Sequence, residues 1–275
     1  MMIQEKLFAV VDPNDDEHVA LERALITAKQ RDIPPKIRVF VAVDHEVVDT
    51  RADNDNLFRD AAWFDENIRE PLRKANLEGD IELSWSSEWQ WAIQRSASHF
   101  GADVIFIPVH KRPNSLRLTF SDSTWDLLKT AECPVLLVRP DATTERKVVL
   151  AAVNFQATGE KQHILNERII ERGKLVAKRN KAEFHVVNAY LDSMLYPDRG
   201  KLVKQTGLPP ENIHVLQGYT SEVVAAVAQQ IDADVVILGT LGQTGKARTR
   251  RGNTATRVIA GLDCDVMVFN HKIIR

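Results

Sequence analysis

Residues 234–254 read DVVILGTLGQTGKARTRRGNT. An apolar run, Asp234-Val235-Val236-Ile237-Leu238, empties into a segment where Gly239, Gly242 and Gly252 bracket Lys246, Arg248, Arg250 and Arg251. No acid stands among those four cations. The apolar run has the length of a buried strand, and it has a counterpart. At a shift of 131 residues, Gly101-Ala-Asp-Val-Ile-Phe-Ile107 lies over Asp232-Ala-Asp-Val-Val-Ile-Leu238. At the same shift, Glu132-Cys-Pro-Val-Leu-Leu-Val138 lies over Asp263-Cys-Asp-Val-Met-Val-Phe269.

The starts repeat as well. Leu7-Phe-Ala-Val-Val-Asp12 matches Val149-Leu-Ala-Ala-Val-Asn154 at a shift of 142, so the halves differ by 11 residues in their middles. A period this long means duplicated domains rather than a solenoid. We place them at 1–141 and 142–275, with the joint in the polar, proline-containing stretch 139–146. Cys133 and Cys264 fall at equivalent positions, each leading into an apolar strand, and read as small packing residues rather than reactive thiols.

Each half alternates short apolar runs with helical patterns. The first predicts strands at 7–11, 37–43, 81–85, 103–109 and 135–138, and helices at 16–31, 55–76, 88–99 and 121–131. The second predicts strands at 148–153, 183–189, 213–216, 234–238 and 265–269, and helices at 160–180, 220–231 and 253–261, with a variable loop after 189. Such alternation argues for right-handed βαβ units and a parallel sheet covered on both faces.

Composition narrows the class. The 275 residues are 44% hydrophobic and 27% charged, with net charge −2, ordinary for a globular chain and not a general attractant for DNA or membranes. Two cysteines and eight scattered histidines show no zinc spacing and fit a reducing compartment. The apolar run before Asp12 is too short for a signal peptide, and no stretch approaches the roughly 20 apolar residues of a membrane helix, so the expected location is the cytoplasm.

Ligands of open parallel sheets sit beyond the carboxyl ends of the strands. The glycine segment follows such an end, and the helix expected from Asn253 points free N–H groups back at it, which favours an anion. A plain turn at Gly239 with a cap at Asn253 or Thr254 is the competing reading. The segment is not a Walker A loop, since five residues separate Gly239 from Gly245 and Ala247 follows Lys246. Neither GxGxxG nor GxSxG occurs.

The spacing Gly-x2-Gly-x9-Gly followed by a small polar residue resembles that of the universal stress proteins. Val11-Asp-Pro-Asn14, Phe120-Ser-Asp-Ser-Thr-Trp125, Leu238-Gly-Thr-Leu-Gly-Gln-Thr-Gly245 and Gly252-Asn-Thr-Ala255 are similar to the tandem E-type members, over nearly the whole chain. The resemblance implies two adenine-nucleotide α-hydrolase-like, Rossmann-type domains, each a five-stranded parallel sheet with helices on both faces. It implies a stress-response factor, regulatory or protective, without a dedicated catalytic site. It also implies a nucleotide site for ATP or AMP, with Mg²⁺ only where ATP is bound.

Carried onto this chain, Gly239, Thr240, Gly242, Gly252, Asn253 and Thr254 would face phosphate, and Val153, Asn154 and Ala189 would face adenine and ribose. Two departures stand out: Asn154 replaces the usual Asp, and Asn253 replaces Ser or Thr. The first half keeps Asp12 but has Pro108, Lys111 and Ser121 at its loop positions, which closes its phosphate site. Asp12 then reads as a turn residue.

The competing functions are a slow ATPase, a nucleotide-free scaffold, and a binder of a lipid-like small molecule in the first half. All five tryptophans, 63, 85, 89, 91 and 125, lie in that half, although core and interface packing is their first reading. The cationic run reads first as a solvated loop, then as phosphate neutralisation. The wide basic surface and aromatic platforms of nucleic-acid binders are missing. Finally, 135–138 and 265–269 are apolar edge strands, expected to pair antiparallel about a pseudo-two-fold axis, leaving two sheets across one seam. A homodimer of chains is compatible with this and not required.

Overall fold

The structure, a computed structural model, describes residues 4–43, 61–109, 122–241 and 254–273. In the first half the strands are β1 (Lys6–Val11), β2 (Lys36–Val43), β3 (Gly79–Trp85), β4 (Val104–Pro108) and β5 (Val135–Val138). The helices are α1 (Val19–Lys29), α2 (Ala61–Phe64), α3 (Glu70–Lys74), α4 (Trp89–Phe100) and α5 (Asp122–Thr130). In the second half the strands are β6 (Val148–Val153), β7 (Glu183–Tyr190), β8 (Ile213–Gln217), β9 (Val235–Thr240) and β10 (Asp265–Asn270). Its helices are α6 (Glu160–Asn180), α7 (Arg199–Thr206), α8 (Thr220–Gln230) and α9 (Thr254–Ala260).

Central strands are apolar throughout because both of their faces are covered. In β1, Leu7, Ala9 and Val11 join one core with α1 (Leu21, Ala24) and α6 (Leu165, Ile169). Phe8 and Val10 join the other, with Ile93 of α4, Leu127 of α5, Val224 of α8 and Ile259 of α9. Within each half every strand pairing is parallel, in the mirrored orders β3-β2-β1-β4-β5 and β10-β9-β6-β7-β8.

The seam is where the expected architecture needs correction. The final strands are adjacent and antiparallel, with Val266 opposite Leu137, Met267 opposite Leu136 and Val268 opposite Val135. Their ladder joins the halves into one ten-stranded sheet instead of two separate sheets. Pairing satisfies the backbone groups that an edge strand would leave open, and all four residues of β5 and all six of β10 are buried. Polar ties cross the same seam: Asn270 donates from Nδ2 to the carbonyls of Leu128 (3.1 Å) and Ala131 (2.8 Å). Asp265, fully buried, lies 3.0 Å from Arg23 Nε, accepts 3.0 Å from the Arg139 amide and pairs with Arg146.

Three local expectations change. The helical stretch expected over 55–76 is continuous over 61–74 but not regular: α2 runs into a π turn at Asp65–Arg69 and then α3, while 55–60 fall outside the described residues. The stretch expected as a variable loop contains α7. Asp198 caps it, accepting from the Lys201 amide at 3.0 Å, and Gly207 ends it at φ 66°. Strand β9 continues through Gly239 and Thr240, which pair with Phe269 and Asn270.

Candidate functional site at the carboxyl edge of the second half

Strand order reverses between β6 and β9, since β6 leads outward to β7 and β8 while β9 leads to β10. Their mutual pairing ends at Ala151 opposite Ile237, at the switch point where open α/β sheets place a ligand crevice. Val153 and Asn154 stand on one side of it, and Gly239 and Thr240 on the other. Ala189, near the end of β7, lies one strand further out. The sheet therefore brings together the described members of the expected nucleotide set, Val153, Asn154, Ala189, Gly239, Thr240 and Thr254, at one carboxyl edge. Gly242, Gly252, Asn253 and the cations 246–251 lie outside the described residues.

Asn154 is held by its backbone. Its amide donates to Asn166 Oδ1 at 3.1 Å, and its carbonyl accepts from Asn166 Nδ2 at 2.8 Å. Asn166 is 3% exposed, and its Oδ1 also accepts from Gln162 Nε2 at 3.0 Å. The Asn154 side chain is exposed and makes no hydrogen bond among the described residues. Val153 and Thr240 are buried, and Thr254 is exposed at the start of α9.

Ala189 is not open in the same way. Its carbonyl accepts from Gln156 Nε2 at 2.7 Å and from Asn188 Nδ2 at 3.1 Å. Gln156 Oε1 in turn accepts from Asn188 Nδ2 at 2.7 Å, and Asn188 Oδ1 accepts from the Phe155 amide at 2.7 Å. Gln156 therefore sets its Nε2 donor on the carbonyl of Ala189, a residue expected to face adenine and ribose, while Asn188 holds its Oε1. Sequence reading missed Asn166, Gln156 and Asn188. An Asn or Gln at a strand end advertises no role until its partner strand is known.

Gly239 serves packing rather than a turn. A Cβ built there would stand 2.5 Å from Leu165 Cδ2 and 3.0 Å from Ile169 Cδ1, both on α6. It is paired within β9 and is not among the residues of positive φ. Its missing side chain lets α6 lie close on β9, a reason for glycine that needs no ligand.

In the first half, Asp12 and Pro108 are described. Asp12 Oδ1 accepts from the Asn14 amide at 2.9 Å and from Asn14 Nδ2 at 3.1 Å, a local turn. Pro108 ends β4 beside Val138 and offers no N–H. Lys111 and Ser121 lie outside the described residues. The tryptophans divide between surfaces: Trp63 packs on the α1 face, Trp89 and Trp125 on the opposite one. Trp85 and Trp91 are exposed. The half-buried rings therefore lie on opposite faces of the sheet.

Neither cysteine is bridged in a disulfide. Burial pushes the Cys264 thiol up to about 11, so it stays protonated near neutral pH and acts as a packing group. Among the described residues no cluster of three or more His, Cys, Asp or Glu could hold a metal, and no helix is long and apolar enough to cross a membrane.

Known proteins resemble the chain in both halves. The model of the "Universal stress protein family" matches residues 5–139 and 167–270, once per half. The unmatched interval contains Asn154 and Gln156. Universal stress protein E of Escherichia coli K12 is 27% identical over 301 residues, covering 98% of this chain and 94% of that protein. A universal stress protein E homolog of Haemophilus influenzae is 25% identical over 299 residues, covering 96% of each chain. Among solved structures, a protein of unknown function from Pseudomonas aeruginosa superposes with a TM-score of 0.79 at 23% identity, over 98% of this chain and 93% of that one. At that identity the likeness speaks for the fold. On the family match to both halves, the chain belongs to the universal stress protein family.

Proposed function

We propose that this stress-response protein acts by binding rather than by dedicated catalysis, and that it takes an adenine nucleotide, ATP or AMP, at the carboxyl edge of its second half. The observation that carries the reading is the switch point between β6 and β9, with the free Asn154 amide beside it. An amide can accept from the adenine amino group and donate to a ring nitrogen. Val153 and Ala189 complete that side, and Gly239, Thr240, Gly242, Gly252, Asn253 and Thr254 take the phosphates, by backbone N–H groups and the threonine hydroxyls. Mg²⁺ enters only with ATP. Two cysteines without a disulfide suit a reducing cytoplasm. The division into domains at 1–141 and 142–275, in the turn after β5, belongs to the same proposal.

Adenine must displace Gln156 from Ala189. Two hydrogen bonds at about 1 kcal/mol net each amount to about 2 kcal/mol, or roughly 30-fold in affinity. Calorimetric titration with ATP and AMP is therefore expected to show Gln156→Ala binding about 30-fold tighter than the wild type. A nucleotide-free scaffold is the right reading if neither protein binds at about 5 mM nucleotide.

A further inference from the structure

A second concave site lies far from that edge, on the α1/α6 face, where the two halves meet. A cleft holding about 590 Å³ of space, solvent included, runs between α1 and α6. Its enclosed part is small, about 50 Å³. Its floor is apolar sheet from both halves: Val104, Phe106 and Leu136 from the first, Val235 and Met267 from the second. Its walls are guanidiniums. Arg31 follows α1, and Arg172 and Arg179 stand two turns apart on one side of α6.

Three guanidiniums converge here on one carboxylate. Arg31 forms the close ion pair with Glu5, Arg179 Nη1 lies 3.5 Å from Glu5 Oε2, and Arg172 Nη1 lies 4.0 Å from Glu5 Oε1. Two positive charges are left uncompensated around Glu5. Their side chains are only 10%, 17% and 30% exposed for Arg31, Arg172 and Arg179, so water screens them poorly. Burial tends to raise the Glu5 carboxyl, but the Arg31 bond and the charges of Arg31, Arg179 and Arg172 outweigh it and hold the group ionised. Asp103, the other acid felt by Arg172, accepts from the Lys6 amide at 2.8 Å. The remaining cleft arginines, Arg23 and Arg146, share Asp265 and the Thr143 carbonyl of the joint, and Arg146 also bonds the Asp234 carbonyl.

Arg172 stands apart from the rest. Among the described residues it makes no hydrogen bond, only the 4.0 Å contact with Glu5 and a cation–π contact 5.9 Å from the Phe269 ring centroid. A guanidinium carries five N–H donors, and one kept from water without acceptors is costly. Neighbouring Arg179 and Arg31 add repulsion. A structural ion pair would place the guanidinium squarely on the carboxylate. This one stays off it, beside an open cleft.

We propose that the cleft is a binding site for a small phosphate dianion, free or as the phosphoryl group of a metabolite, held by Arg172 with Arg31 and Arg179. The dianion balances the two surplus charges and supplies acceptors to the Arg172 fork. Ligands of this site come from both halves, so occupancy would clamp the seam and raise the stability of the whole sheet.

The test is the thermal midpoint of the full chain, titrated with sodium phosphate and, separately, with glycerol 1-phosphate. Sodium chloride at matched ionic strength removes general screening. A saturable rise with phosphate, absent with chloride, is expected. Arg172→Gln should weaken the apparent affinity about tenfold to a hundredfold, as for one lost charged hydrogen-bonding partner. Arg179→Gln gives the same direction where the first variant folds poorly, and Gly242→Val should leave the response intact. A rise with glycerol 1-phosphate as well assigns the site to phosphorylated metabolites, and a rise with phosphate alone to the free ion. The proposal is overturned by equal shifts in chloride, by an undiminished response in both arginine variants, or by a response abolished by Gly242→Val.

Discussion

Gly239→Ala separates two physical reasons for one glycine. If Gly239 is small because α6 rests on it, the added methyl must push that helix away. The new Cβ would meet Leu165 Cδ2 at 2.5 Å and Cγ at 2.6 Å, where carbon atoms settle at about 3.5–4.0 Å. Relief requires a shift of about 1 Å in a side chain that is 2% exposed and wedged beside Ile169, at 1%. Overpacking of this kind costs about 1–3 kcal/mol. Leu165→Ala alone should cost about 2–5 kcal/mol through its cavity. In the double variant the new methyl enters that cavity, so the combined loss should fall short of the sum by about 1 kcal/mol or more. Equilibrium urea denaturation of the four proteins measures this coupling directly. Additivity within about 0.5 kcal/mol, or a stability-neutral Gly239→Ala that removes nucleotide binding, would refute packing as the reason for the glycine.

Asp265→Asn should destabilise the chain by about 3–5 kcal/mol, because Arg23 and Arg146 lose the carboxylate that balances them in a buried setting. Thermal melts should show both halves unfolding in one earlier transition, since Asp265 and its partners span the joint. Stability should also fall in mild acid through His214, whose imidazole is held below its ordinary value by burial, then by His185 and Arg199. The unfolded chain takes its proton near pH 6.5 while the folded chain resists, so the contribution is full above about 6.5 and is lost as pH drops toward the lower folded value. Replacing His214 by Gln should flatten the fall in thermal midpoint measured between about pH 7 and 5.5.

Local pattern was enough for most of the fold. The matched runs at 101–107 and 232–238 marked equivalent strands, and the apolar 135–138 and 265–269 marked edges that had to be covered. They cover one another, with Val268 opposite Val135. Helix α7 was readable from its own ends, Asp198 before and Gly207 after, yet only Leu202 and Thr206 are buried along it, so it lacks the long apolar stripe that betrays a helix. The crevice could be located from strand order and the carboxyl-edge rule. What fills or lines it could not. Gly239 looks like a loop glycine in sequence, and only the approach of Leu165, 74 positions earlier, turns it into a contact surface. Gln156 is one polar residue among many until β6 and β7 lie side by side and its amide reaches Ala189. Glu5, Arg31, Arg172 and Arg179 are scattered charges along the chain, and each alone reads as a solvated surface group. Periodicity reports the face a residue turns toward its own element. Which charges then meet across two helices from different halves depends on how the sheet closes at β5 and β10, and that is a property of the tertiary structure.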